Sequence, residues 1–312
     1  MALHSFRTPF VILAFAALLA HPAHALADPE VDLLKTRVAQ LEAEIKLLKE
    51  RLAKLEGATK SPAEPAKTPN FVVIPGGWGD AGAADILAVC KSAASELASL
   101  FPNRELEPIS IRHDMNQGPM VIFGKGATGE RRVLLNVKDT HWSQFSYQFA
   151  HEVCHILCNY REANRANLWF EESLCETASL FVLRRMSETW KTKPPYPNWK
   201  TYAEKLNDYA DQRLKNTEKL EGLTLAQWYQ RNEPELRKTG TNRNKNQVVA
   251  AALLPLLEQT PKYWQAVSYL NQWDAKKELS FNDYLRDWHE RAPKDLKPFV
   301  QEVAATFGIV IK

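Results

Sequence analysis

Residues 28–57 carry the clearest repeating pattern in the chain. Apolar residues recur there at alternating steps of three and four, which is the heptad pattern of a coiled-coil helix. The a positions hold Val31, Val38, Ile45 and Leu52, and the d positions hold Leu34, Leu41, Leu48 and Leu55. Mostly β-branched a residues with leucine at d favour a parallel two-stranded coil. We therefore expect residues 31–55 to form a homo-oligomer, either a parallel dimer or a trimer.

The charged residues beside this apolar seam support the same pairing. In a parallel dimer, each g position faces the e position of the next heptad on the partner helix. The facing pairs, all of opposite charge, are Arg37 with Glu42, Glu44 with Lys49, and Arg51 with Glu56. The alternative is a helix that packs on its own chain, but polar residues at most other positions leave one narrow stripe to bury.

The first 27 residues resemble a targeting signal. Arg7 precedes an apolar run over residues 10–20 that is too short to span a bilayer, and small residues follow it. This order is typical of a signal peptide cleaved after Ala27 or, alternatively, after Ala25. We therefore expect an exported mature chain without a membrane span, either periplasmic or secreted if the source is bacterial.

Residues 58–70 are rich in proline and alanine and are typical of an extended linker. The remaining residues, 71–312, show two patterns. Before residue 140, short apolar runs predict strands around one helix at 80–100, and these runs span 71–74, 108–112, 120–123 and 132–137. After residue 140 the pattern is almost entirely helical. The sequence therefore predicts an α+β domain, with a small sheet followed by a helical half.

Composition narrows the classes of function. The net charge of +3 is nearly balanced over 312 residues, and both signs are interspersed. This argues against a nucleic-acid partner or a strongly acidic one. The nine tryptophans and the 45% of hydrophobic residues are ample for a packed core.

The chemistry is concentrated in the segment from His151 to His155, which has the pattern HExxH. On a helix, residues i and i+4 share a face, so His151 and His155 can bind one metal ion. Glu152 then lies beside the metal, where a general base for water is needed. The alternative is an ordinary amphipathic helix with two satisfied histidines.

A second segment offers candidates for a third metal ligand and for a supporting acid. Glu172 and Glu176 are again four residues apart, on a helix rich in tryptophan, phenylalanine and leucine. Two carboxylates on the inner side of such a helix are costly to bury without a cation. With a metal present, Glu172 can be the third ligand, and Glu176 can accept the free ring N–H of a ligand histidine.

Together the two segments resemble the gluzincin group of zinc metallopeptidases. The stretch Trp169–Glu176 is similar to the Trp-Leu-Asn-Glu-Gly-Phe-Ala-Glu stretch of those enzymes. The resemblance implies a zincin-like fold, a Zn²⁺ cofactor, Glu172 as ligand and Glu176 as supporting acid. Glu171 stands where asparagine is usual, and Ser173 where glycine is usual, so Glu171 stays open as the alternative ligand. The metzincin pattern is absent, since it needs glycine at position 158 and histidine at position 161.

The resemblance implies hydrolysis of a peptide or protein substrate. It also implies that an edge strand, 133–137, pairs with extended substrate, although an internal strand is the alternative. Thr140 is a plausible N-cap of the metal helix. Candidates for a donor to the oxyanion are Tyr202, Tyr209, Tyr229 and His289. The rival function is a non-catalytic coiled-coil scaffold of the cell envelope with a structural zinc site.

Four cysteines complete the candidate chemistry: Cys90, Cys154, Cys158 and Cys175. Export permits disulfides. A bridge from Cys175 to Cys158 or to Cys154 would join the two ligand helices. Small buried thiols are the alternative, and Cys158 is a minor candidate for a metal ligand because it follows His155 by three residues.

Overall fold

The computed structural model describes residues 37–43, 45–46, 49–50, 70–162, 166–274 and 277–311. The chain divides into two compact units, Met1–Ala66 and Lys67–Lys312. In the first unit the described residues are helical and exposed. The predicted signal peptide and nearly all of the predicted linker lie outside the described residues. So do five of the eight predicted a and d residues and at least one member of two of the three charged pairs.

The second unit contains a four-stranded sheet. Its strands are β1 (Phe71–Val73), β2 (Ile109–His113), β3 (Met120–Val121) and β4 (Arg131–Leu135). The order across the sheet is β1-β2-β4-β3, with β1, β2 and β4 parallel and β3 antiparallel to β4. The predicted strands are therefore confirmed, with ends that differ by no more than two residues.

The prediction of an edge strand at 133–137 is wrong. Strand β4 lies between β2 and β3, and the short strand β3 forms the edge. Val133, Leu134 and Leu135 are buried in succession. Because neighbouring residues of a strand point to opposite faces, three buried residues in a row mean that both faces of β4 are covered. The alternative of an internal strand is confirmed.

Eight helices and two 3₁₀ segments make up the rest of the described second unit. The helices are α1 (Ala83–Ala98), α2 (Trp142–Leu157), α3 (Leu168–Trp190), α4 (Ala203–Lys215), α5 (Leu225–Lys238), α6 (Arg243–Gln259), α7 (Phe281–Arg291) and α8 (Lys297–Thr306). The 3₁₀ segments are Pro197–Tyr202 and Pro261–Tyr269. The α+β class is confirmed. Among the described helices, none combines the length and hydropathy needed to cross a membrane.

Helix α2 begins one residue later than predicted. Asp139 has a positive φ of 57°, and the Thr140 carbonyl accepts a hydrogen bond from the Trp142 N–H. His141 is consequently the N-cap residue, and its side chain makes no capping bond. The prediction of Thr140 as the N-cap is wrong because the left-handed turn at Asp139 places Thr140 outside the helix.

The C-terminal end of α2 is fixed from two sides. Arg104 donates to the carbonyls of Ile156 and Leu157 at 2.8 and 2.6 Å, which satisfies acceptors that a helix end leaves free. Asn159 leaves the helix with a φ of 59° and donates to the carbonyls of Ser268 and Leu270. Because all but two of the residues in α2 are buried, the helix that carries HExxH is held rigidly.

Helix α3 is anchored by aromatic packing at its first turn. Trp169 and Phe170 contact Phe281 of α7 at ring distances of 4.6 and 5.2 Å. Both rings also meet Phe307, which follows α8. The helical half of the domain therefore sets the position of the residues that follow Phe170.

The exposed residues of the first unit generate a prediction of self-association. Val38, Leu41 and Ile45 are 53%, 42% and 51% exposed, and a partner helix would cover this stripe. We expect the chain starting at residue 28 to have at least twice the monomer mass by light scattering. Aspartate at both Val38 and Ile45 should reduce it to the monomer mass, because charge in the seam opposes pairing.

The matched control for this prediction places aspartate at Ala39 and Ala43, which lie off the predicted seam. This variant should keep the wild-type mass. A monomeric wild type, or equal dissociation of both variants, would contradict the predicted coiled coil.

Candidate metal centre

Helices α2 and α3 bring His151, His155 and Glu172 together. The Nε2 atom of His151 lies 3.1 Å from Oε2 of Glu172, and Nε2 of His155 lies 3.6 Å from Oε1 of the same carboxylate. Two donors that each lie about 2.1 Å from a tetrahedral metal ion are about 3.4 Å apart. The two distances are close to this value, and they place both imidazoles against one carboxylate, each on a different oxygen of Glu172.

A second group shares the two histidines. Ligand atoms of His151, His155 and Cys175 all lie within 4.8 Å of one another, and all three residues are buried, so this group could hold a metal ion. The Cys175 side chain is fully buried, whereas that of Glu172 is 17% exposed. Cys175 would therefore complete a closed site, and Glu172 a site that is open to solvent.

Glu171 holds His155 in place. One of its oxygens lies 2.6 Å from Nδ1 of His155, and the other accepts from the Asn271 amide at 2.7 Å. Asn271 is itself fixed, since it donates to the Cys158 carbonyl and accepts from the Tyr284 hydroxyl. A proton on Nδ1 leaves Nε2 free to accept or to bind a metal. Glu171 is thus bound on the Nδ1 side of His155, away from the space between the two histidines where a metal ion would lie.

Glu176 differs from its predicted position. It was expected to accept a ring N–H from a ligand histidine, but its carboxylate accepts from the Tyr147 hydroxyl. Arg213 donates to the same hydroxyl at 3.2 Å and covers the Tyr147 ring. The contacts of Glu171 with His155 and of Ser179 with Tyr147 show that α2 and α3 run antiparallel. This direction explains the position of Glu176. Glu176 therefore faces a point on α2 about two turns before His155.

Glu152 is 1% exposed and lies beside this gap. One carboxylate oxygen interacts with the backbone N–H of Val121 in the edge strand β3. The other, Oε2, has no hydrogen-bond partner within the described part of the chain. Burial raises the pKa of Glu152 to about 7. A buried carboxylate with a free oxygen and a pKa near neutrality is suited to accept a proton.

The charges of the site are strongly coupled. Burial disfavours a charged His155, but the carboxylates of Glu172 and Glu171 outweigh it and raise the pKa of His155 to about 10. Burial likewise disfavours a charged Glu172, but His155 and His151 lower its pKa to about 2. For His151, burial dominates and lowers the pKa. In the absence of a metal ion, the anionic Glu172 carboxylate is therefore paired with a protonated His155, and a metal ion that binds here replaces that proton.

The four candidate oxyanion donors occupy different places. Tyr229 packs among Trp169, Phe281 and Phe307 in the core. His289 lines a separate cavity on α7. Tyr202 and Tyr209 line a cavity of about 380 Å³ beside Ser143, two turns along α2 from His151. Of the four, Tyr209 contacts a ring near the site, because it packs edge-on against Tyr147 at 5.8 Å.

The sequence pattern missed three contributors. Arg243, at the first turn of α6, interacts electrostatically with His151, Glu152 and Glu172. An arginine at the start of a helix looks like ordinary surface charge, and Asn271 likewise gave no signal. Tyr147 could have been found, because it precedes His151 by four residues and shares its face.

The cysteines form no disulfide. All four are free and buried, so neither proposed bridge to Cys175 is present, and the alternative of small buried thiols is confirmed. Comparison of the chain with models of protein families, with curated proteins and with solved structures finds no match in any of the three.

The buried carboxylate of Glu176 generates a prediction of pH-dependent stability. Burial raises its pKa from 4.5 to about 7. The folded state therefore binds the proton more tightly, and this stabilisation is present below pH 4.5 and is lost as the pH rises through 7. A Glu176→Gln variant keeps an acceptor for Tyr147 without that loss.

Urea unfolding of metal-free wild type and Glu176→Gln between pH 4.5 and 8 measures this effect. Between pH 4.5 and 8, the free energy of unfolding of wild type should fall relative to that of the variant by roughly 2–3 kcal/mol. Each pKa unit corresponds to about 1.4 kcal/mol. A difference that does not change with pH would show that Glu176 is not the titrating group.

Proposed function

We propose that this chain is an exported zinc-dependent metallopeptidase of the gluzincin type, with a zincin-like fold. The observation that carries the proposal is the convergence of His151, His155 and Glu172, with the unpartnered oxygen of Glu152 beside them. The order of elements supports the fold. A small sheet with an antiparallel edge strand precedes α2, and a helical half follows α3.

The residues that would hold zinc are His151, His155 and Glu172. Glu172 is favoured over Cys175 for two reasons. Its two oxygens face both Nε2 atoms at distances that suit one ion, and its partial exposure leaves the fourth position accessible. Catalytic zinc sites have three protein ligands and an open position, whereas structural sites are closed. Glu171 supports His155 in the manner of the carboxylates that orient ligand histidines elsewhere.

Zinc, when bound, supplies a Lewis acid that polarises the scissile carbonyl and makes water more acidic. In this proposal Glu152 takes a proton from the attacking water through its free oxygen Oε2 and gives that proton to the leaving amine. Glu171 keeps the Nδ1 of His155 protonated and its Nε2 directed toward Glu172. Arg243 interacts electrostatically with His151, Glu152 and Glu172, and it is our candidate for stabilising the negative charge that develops on the carbonyl oxygen.

The edge strand supports a peptide or protein as the proposed substrate class. Strand β3 is at the edge of the sheet, and its Val121 N–H interacts with Glu152. Because Glu152 occupies the Val121 N–H, an extended peptide would pair through other main-chain groups along this edge and would run past the proposed base. This arrangement favours peptide or protein substrates over small molecules, and main-chain pairing makes recognition largely independent of sequence.

The rival function is a non-catalytic envelope scaffold that acts through its coiled coil. Two observations favour it. Val38, Leu41 and Ile45 form an exposed apolar stripe, and the group of His151, His155 and Cys175 could make a closed structural site. The identity of the third ligand separates the two functions, because an open site permits catalysis and a closed one does not.

Zinc content tests the proposed ligands. Wild type should contain about one zinc per chain by elemental analysis. Glu172→Ala should lose it, because two histidines alone hold the ion weakly. Glu171→Ala should retain a site with affinity reduced by roughly 10–100-fold, the usual effect of losing a partner that orients a ligand. Cys175→Ala should retain the zinc of wild type. Zinc that survives Glu172→Ala and is lost in Cys175→Ala would support the scaffold instead.

Glu152→Gln tests the proposed base. The variant should bind zinc like wild type but lose at least about 100-fold in kcat/KM, because glutamine cannot accept the proton. The assay is cleavage of unfolded casein and of a peptide library by the zinc-loaded chain. Glu96→Gln is the control, since Glu96 is also buried but pairs with Arg185 and Thr189 away from the site. Equal activity of Glu152→Gln and wild type would remove Glu152 from the mechanism.

A further inference from the structure

Three of the four cysteines meet at one point between α2 and α3. Cys154 lies in the last turn of α2, Cys158 is the C-cap residue four positions later, and Cys175 faces them from α3. The three Sγ atoms all lie within 4.8 Å of one another, and those of Cys154 and Cys158 are 3.9 Å apart. All three side chains are completely buried. Cys90, on α1, is equally buried but does not belong to this group.

The proposed peptidase does not use these thiols. Its three ligands are two imidazoles and a carboxylate, and a pair of cysteines would be enough for a disulfide between the helices. Small apolar residues such as alanine would fill the same space without the reactivity of a thiol toward oxidants and metals. A set of three thiols, drawn from two helices and closed to solvent, therefore calls for another explanation.

We propose that Cys154, Cys158 and Cys175 form a second metal site, which binds one Cu(I) ion through three sulfur atoms. Thiolates select soft cations, among them Cu(I). Metal–sulfur bonds of about 2.3 Å in a trigonal plane place the sulfurs about 4.0 Å apart, and Cys154 and Cys158 already have this spacing. Zinc in a closed site takes four protein ligands, and this group offers three.

Binding requires no change of oxidation state. Each new Cu–S bond replaces an S–H bond, the proton leaves to solvent, and copper stays Cu(I) throughout. Cys175 also lies within reach of His151 and His155. An ion in the thiol site would hold the Cys175 sulfur there and leave the third position at the histidines to Glu172. This last consequence rests on the proposed function, but the thiol site itself does not.

Titration of the reduced mature chain with Cu(I), against a chromophoric Cu(I) chelator and without oxygen, tests the site. Wild type should bind one Cu(I) per chain. Alanine at Cys154, Cys158 or Cys175 should weaken Cu(I) binding by more than roughly 100-fold. Loss of a residue that only orients a metal ligand typically weakens binding by roughly 10–100-fold, and loss of a ligand should cost more. Cys90→Ala is the matched control and should bind like wild type. A double His151→Ala, His155→Ala variant should also keep its Cu(I).

X-ray absorption of copper-loaded wild type tests the same site without any variant. The expected result is about three sulfur neighbours at about 2.3 Å and no imidazole scattering. The proposal is overturned by imidazole scattering, by Cu(I) binding that survives Cys158→Ala, or by the absence of stoichiometric binding. Zinc content measured on the same variants keeps the two sites apart, because zinc should depend on Glu172 and copper on Cys158.

Discussion

The antiparallel packing of α2 against α3 is the constraint on which the rest of the structure depends. It pairs the end of one helix with the start of the other, so that His155 meets Glu171 and Glu172 while Tyr147 meets Glu176. Helix α2 is almost fully buried, and 17 of the 23 residues of α3 are buried. Ionisable groups that are placed between two such helices must be compensated by one another or by a cation, because an isolated charge in the interior is costly.

The surrounding domain supplies that compensation at both ends of the interface. At the His155 end, Asn271 donates to Glu171 and accepts from the Tyr284 hydroxyl, and Arg104 donates to the terminal carbonyls of α2. At the other end, Arg213 donates to the Tyr147 hydroxyl, which in turn donates to the Glu176 carboxylate. Between the two ends, Glu152 keeps an oxygen that has no hydrogen-bond partner among the residues that the structure describes. An unsatisfied buried acceptor beside two imidazoles and a carboxylate is unfavourable for stability alone, which is why we associate it with chemistry.

The two proposed metal sites follow from the same interface. The i and i+4 spacing occurs twice at this interface, in His151 with His155 on α2 and in Cys154 with the C-cap residue Cys158, and we propose that α3 contributes Glu172 to one pair and Cys175 to the other. The two groups are adjacent, because Cys175 also lies within reach of both histidines. They differ in exposure, since the carboxylate is partly exposed and the thiols are fully buried. A partly open site suits the proposed zinc, and a closed thiol site suits the proposed Cu(I).

The sequence by itself determined the elements and the pairings that depend on local spacing. The strands, the helices, the α+β class and the shared face of His151 and His155 all follow from periods of 2 and 3.6 residues, which are properties of a single segment. Only the tertiary structure decided which carboxylate orients His155, which strand forms the edge of the sheet, and that Cys175 joins Cys154 and Cys158. These three features depend on the direction and the depth at which distant segments of the chain pack against each other. The spacing of residues along one helix or strand determines neither the direction nor the depth.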